Sequence, residues 1–150
     1  MERMYKDFKD IADFYIVYLR EAHAADSMRA VGYAKDKKIL QPRDYAERCE
    51  VAERLVKEKK LTIPFLIDDM SNTAAQAYQA LPDRAFLVRM DGTVGVAGEK
   101  GPRGFAPALR EIKEWLEEYK KLGKEPEIKT PRERKPTSQP SRRKRRGVKP

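Results

Sequence analysis

The sequence predicts an α/β fold, a mixed sheet flanked by helices, and three observations carry that reading. An unbroken apolar block, Phe14 to Leu19, suits a strand buried on both faces, and hence a parallel sheet covered by helices. Met90-Asp91-Gly92 between two short β-prone runs marks a hairpin. Two long segments, Arg43 to Lys60 and Phe105 to Tyr119, repeat apolar residues at helical spacing.

Taken in order, Met4, Tyr5, Phe8, Ile11 and Ala12 fall three and four apart, so residues 1–12 read as an amphipathic helix lying on the sheet. The strand Phe14 to Leu19 follows, then a polar, irregular stretch from Arg20 to Pro42. In the next helix, Tyr45, Cys49, Ala52, Leu55 and Val56 form the apolar stripe, with charges opposite. Ile63 to Asp68 is a second strand, and Ser71 or Asn72 is placed to cap a short helix through Ala74, Ala75, Ala77 and Tyr78. Leu81-Pro82 ends that helix. Ala85 to Arg89 and Thr93 to Ala97 are the antiparallel hairpin strands. A glycine-rich turn, Gly98 to Gly104, leads to the last helix, whose stripe is Phe105, Leu109, Ile112, Leu116 and Tyr119.

Composition narrows the classes. With 150 residues, 40% of them hydrophobic and 38% charged, the chain suits one soluble globular domain. No window approaches the roughly 18 apolar residues of a membrane helix, and the acidic start Met1-Glu2-Arg3-Met4 lacks a signal-peptide run, so the sequence as written reads as cytoplasmic. One cysteine, Cys49, excludes a disulfide, a CxxC pair and a multi-cysteine zinc site, and one histidine, His23, makes no metal site alone. No cofactor is expected. Cys49 on the apolar stripe reads as a small core hydrophobe. Asp68 and Asp69 read as helix-capping acids, and Trp115 as packing.

The net charge of +9 is unevenly placed. Residues 123–150 hold eleven Lys or Arg against three Glu, leaving residues 1–122 nearly neutral. Five prolines and no aromatic residue in that segment predict a disordered basic tail on a domain spanning 1–122. Its Arg142-Arg143-Lys144-Arg145-Arg146 run suits polyanion contact.

The order of elements, with Pro82 before the hairpin, is a thioredoxin-like layout without its first core strand. Four stretches carry a narrower resemblance. They are Asp13 to His23 with its Glu21-Ala22-His23 ending, Ile63 to Asn72, Ala77 to Arg84, and Gly98 to Phe105 together with Trp115-Leu116-Glu117. Together they resemble the iodothyronine deiodinase family, a selenocysteine-using branch of the thioredoxin-like fold. Asp26-Ser27-Met28 stands where members carry Asp-Gly-Trp, and Lys100 where an arginine is frequent.

The resemblance implies an oxidoreductase in which selenolate or thiolate attacks an iodine or a peroxide oxygen and a thiol reductant restores it. It makes His23 the proton donor, Glu21 its orienter, and Pro82 and Lys100 the substrate-binding residues. It places the nucleophile about ten residues upstream of Met1, so the sequence is expected to be a truncated, inactive reading of a longer gene with an in-frame UGA. A homodimer is an expected assembly. The alternatives are a peroxiredoxin-like thiol reductase and a non-catalytic binding module using the basic tail.

Overall fold

The computed structural model describes residues 1–127, so most of the segment expected to form a basic tail, residues 128–150, lies outside the described residues. The described part is mixed α/β: α1 (Glu2–Phe8), β1 (Ile16–Tyr18), α2 (Gly32–Asp36), α3 (Tyr45–Lys59), β2 (Phe65–Ile67), α4 (Thr73–Ala77), β3 (Phe86–Val88), β4 (Val94–Ala97) and α5 (Pro102–Leu122). β1 and β2 pair in parallel with Ile16 opposite Phe65, and β3 and β4 pair antiparallel with Phe86 opposite Ala97. These are two separate two-stranded sheets.

One apolar core lies between the hairpin and α5. Leu87 and Val96 from the sheet meet Ala108, Ile112 and Leu116 from α5, with Phe8 of α1 and Ala85 completing the buried cluster. The helical spacing in α5 and the alternation in β3 and β4 aim these residues at one another. Met4, Ile11, Ala12 and Phe14 pack against the same cluster. Helix α1 stops at Phe8 rather than at residue 12, but Ile11 and Ala12 still donate their amides to the Phe8 carbonyl and keep to the core side.

The apolar block around β1 is not buried on both faces. Tyr18 is buried, but Tyr15 and Val17 are 55% and 42% exposed. β1 is bonded along one edge only, to β2, and Leu66, opposite Val17, is 49% exposed. Apolarity marked the strand; the packing that would bury its second face is not supplied by the described residues.

Helix α3 opens with Asp44, whose carboxylate accepts from the Glu47 amide at 2.9 Å, while Glu47 accepts from the Arg43 amide at 2.8 Å. Its inward stripe differs from the periodicity reading: Arg48 and Ala52 are buried, and Tyr45 is exposed. Lys60 closes the helix in the left-handed region, its amide reaching back to the Lys57 and Val56 carbonyls. The irregular stretch contains α2, a five-residue helix without helical apolar spacing.

The hairpin forms as its turn chemistry dictates. Gly92 takes φ +83°, its amide donates to Arg89 O, and the Asp91 carboxylate accepts from the Thr93 amide and hydroxyl. The Thr93 hydroxyl and amide hold the Asp91 carboxyl below the ordinary range. After α5, Gly123 turns the chain at φ +67° and Glu125 returns to the hairpin, accepting from Met90 N at 2.8 Å and pairing with Arg89 at 2.8 Å. Among the described residues no helix is long and apolar enough to cross a membrane.

Candidate functional site

The carboxyl ends of β1 and β2 lie together, since Asp68 donates its amide to Tyr18 O at 2.9 Å. This end of a parallel sheet is where chains diverge into loops and where ligands bind in α/β folds. Glu21 and His23 leave β1 here. The Tyr18 hydroxyl donates to the Glu21 carboxylate, which fixes that carboxylate against the strand end.

His23 is exposed, and its Nδ1 lies 3.0 Å from Arg29 O. A carbonyl only accepts, so the tautomer that makes this contact a hydrogen bond carries its proton on Nδ1, with Nε2 on the other side of the ring. Ala24 and Ile39, both buried, anchor the loop, together with the 2.7 Å bond from Ala25 N to Ile39 O. Glu21 and His23 therefore share a loop, yet their hydrogen bonds shown here run to different residues.

The turn after β2 is held from both sides. Asp68, buried, accepts from the Ala74 and Ala75 amides at 2.9 Å each, and Asp69 accepts from Thr73 N at 3.2 Å. These acids cap α4, as their place before it predicted, whereas Ser71 and Asn72 do not; Asn72 sits at φ +58° without a side-chain capping bond. Thr73 hydrogen bonds hold the Asp69 carboxyl below its usual value. Arg48, 2% exposed, reaches in from α3 and donates to Asp68 O at 3.0 Å, Asp69 O at 2.5 Å and Asn72 Oδ1 at 3.2 Å. Sequence reasoning missed Arg48, because a periodic pattern assigns a charged residue to the solvent face.

Pro82 precedes β3 and Lys100 follows β4, on the segments that flank the other sheet. The Leu81–Pro82 peptide is cis. Gly98 N donates to Ala85 O at 2.9 Å and Gly101 N to Asp83 O at 3.0 Å, so the turn carrying Lys100 is joined to the segment following Pro82. A Cβ on Gly101 would lie 3.8 Å from Pro82 Cγ. Lys100 and Arg103 line an open hollow of about 340 Å³ with Glu99, Glu111 and the backbone of Gly98 and Gly104. Gly104 has to be glycine, since a Cβ there would fall 2.1 Å from Glu99 O. The segments that carry Pro82 and Lys100 are thus joined through Gly101 and Asp83.

Cys49 is a half-buried free thiol on α3. Trp115 packs against the core and stacks on Tyr119 at 5.5 Å. Among the described residues no group of three His, Cys, Asp or Glu stands close enough to hold a metal.

The family model for iodothyronine deiodinase matches residues 1–120. Similar curated proteins include a type I iodothyronine deiodinase of Xenopus laevis, 35% identical over 105 residues, which are 70% of this chain and 40% of that protein. A type II iodothyronine deiodinase of Neoceratodus forsteri is 34% identical over 79% of this chain and 45% of its own length. A thyroxine 5-deiodinase of Gallus gallus is 32% identical over 79% of this chain and 43% of its own. The chain spans less than half the length of these relatives.

Proposed function

The chain belongs to the iodothyronine deiodinase family, and from that premise we propose that it forms the substrate-binding and proton-delivering part of a reductive dehalogenase with a thioredoxin-like core. The observation that carries this is the family match over residues 1–120, which takes in Glu21, His23, Pro82 and Lys100. The reaction proposed is removal of iodine from an iodinated phenol. A selenolate or thiolate supplied from outside residues 1–150 takes the iodine from ring carbon, the carbon takes a proton, and a chalcogen–iodine bond forms. Two molecules of thiol then reduce that bond, giving iodide, a disulfide, two protons and the regenerated nucleophile.

His23 supplies the ring proton through Nε2, its Nδ1 being engaged by the Arg29 carbonyl. Glu21, steadied by Tyr18, orients the loop that carries His23. Lys100 attracts an anionic group of the substrate as a point charge, beside Pro82. Cys49, half-buried on the α3 stripe, has no role in this scheme. Residues 1–122 are proposed as the folded unit and 123–150 as a basic extension whose first residues dock back on the hairpin through Glu125. The chain alone is proposed to be inactive for want of a nucleophile.

The test is to sequence the DNA 5′ of the Met1 codon, express the longer product with any UGA read as selenocysteine, and measure iodide release from 3,5-diiodotyrosine and from thyroxine with a dithiol. Release by the longer product and none by residues 1–150 is the expected result. Turnover of hydroperoxide without iodide release would replace this reading with a thiol peroxidase. The eleven basic residues of 123–150 favour a second reading, polyanion binding. Deleting them should then abolish RNA binding that weakens steeply with salt.

A further inference from the structure

Arg84 joins three segments that meet at the Pro82 end of the hairpin. Its Nε donates to Gly98 O at 2.6 Å and its Nη1 to Tyr78 O at 2.9 Å. The guanidinium carbon stands 4.7 Å from the centre of the Phe86 ring, and that ring meets Tyr78 edge-on at 5.0 Å. One planar cation thus ties the end of α4, the start of β3 and the turn after β4.

The consequence falls on Lys100. Gly98 is held on both sides of its peptide, by its own amide to Ala85 O and by Arg84 at its carbonyl, and Gly101 is held by its amide to Asp83 O. Lys100 lies between these two fixed points. Its ammonium is on a long flexible stem, so its placement depends on a backbone that does not wander.

We propose that Arg84 is a positioning residue: it fixes the Gly98–Gly101 turn so that Lys100 presents its charge beside Pro82. The role given to Lys100 rests on the function proposed above, whereas the fixing of the turn does not. Lysine at position 84 keeps the charge but lacks the fork that reaches two carbonyls at once while lying flat on Phe86. Arg84→Lys should therefore behave like Arg84→Gln.

The first measurement is amide hydrogen exchange on residues 1–150. In both Arg84 variants Gly98 and Gly101 should exchange about tenfold faster, with Ile112 and Leu116 within about twofold of the parent. Unchanged exchange at Gly98 and Gly101, or equal acceleration at Leu116, would overturn the proposal. The second is binding of 3,5-diiodotyrosine. Arg84→Lys should weaken it about fivefold, and adding it to Lys100→Met should weaken binding no further, since Arg84 acts through Lys100. Independent, additive losses would overturn the coupling to Lys100. No binding by the parent chain would remove the substrate assignment, and the exchange result would still decide whether Arg84 fixes the turn.

Discussion

The two sheets are held in place by different physics. The β3–β4 hairpin and α5 bury a shared apolar cluster in which Leu116 is 1% exposed. The β1–β2 pair buries Tyr18 but leaves Val17 and Leu66 open on its other face, and polar ties flank it. Arg48 and Asp68 clamp the turn after β2, and Glu2 reaches from α1 to the Thr62 amide and hydroxyl at 2.9 and 2.6 Å. Apolar burial is non-directional and tolerates small shifts; polar ties demand a set geometry and fail when one partner goes. The proposed site draws Glu21 and His23 from the polar-tied sheet and Pro82 and Lys100 from the packed one, so its precision depends on both.

The largest test of this contrast is Leu116→Ala, which should lose about 3 kcal/mol in chemical denaturation. Amide protection should fall more in α5 and β3–β4 than in β1–β2; an equal fall everywhere would erase the division. Arg48→Met comes next, at about 2 kcal/mol, because it leaves two carbonyls and the Asn72 amide oxygen short of a buried donor. Its exchange changes should centre on residues 68–75 and spare Leu116. Gly104→Ala should cost about 1 kcal/mol or more by driving the Glu99 carbonyl away, and should shift the Lys100 amide resonance while leaving β1 unaltered.

The smallest effect is a pH dependence in the α1 tie. Hydrogen bonds from the Thr62 hydroxyl and amide lower the Glu2 carboxyl from its ordinary 4.5. A carboxyl lowered on folding stabilises the fold fully above its unfolded value and loses that contribution as pH falls through the folded one. Protection of the Thr62 and Ile63 amides should accordingly hold above about pH 4.5 and decline in more acid solution. Glu2→Gln should show less protection and no such decline.

Much of this was legible in the sequence because it is local. Asp91-Gly92 specifies its own turn, and the stripe of α5 names its own core face. The apolar run at β1 announced a strand but overstated its burial, since burial belongs to whatever packs against a strand and not to the strand alone. The α4 caps were half legible: Asp68 and Asp69 look like capping acids, but that they displace Ser71 and Asn72 depends on how the chain folds back. Arg48 carried no local signal, because its carbonyl partners are 20 and 21 residues away. The motif around His23 drew attention to that residue, but not to the Arg29 carbonyl that stands against its Nδ1.

The return of Glu125 to Arg89 and Met90 brings the chain from the end of α5 back to the hairpin. The tie lies at the tip of the hairpin, while Pro82 precedes β3 and Lys100 follows β4 at its other end. Between these poles run strands of three and four residues. The Glu125 tie thus occupies one pole of the hairpin and the turn that carries Lys100 the other.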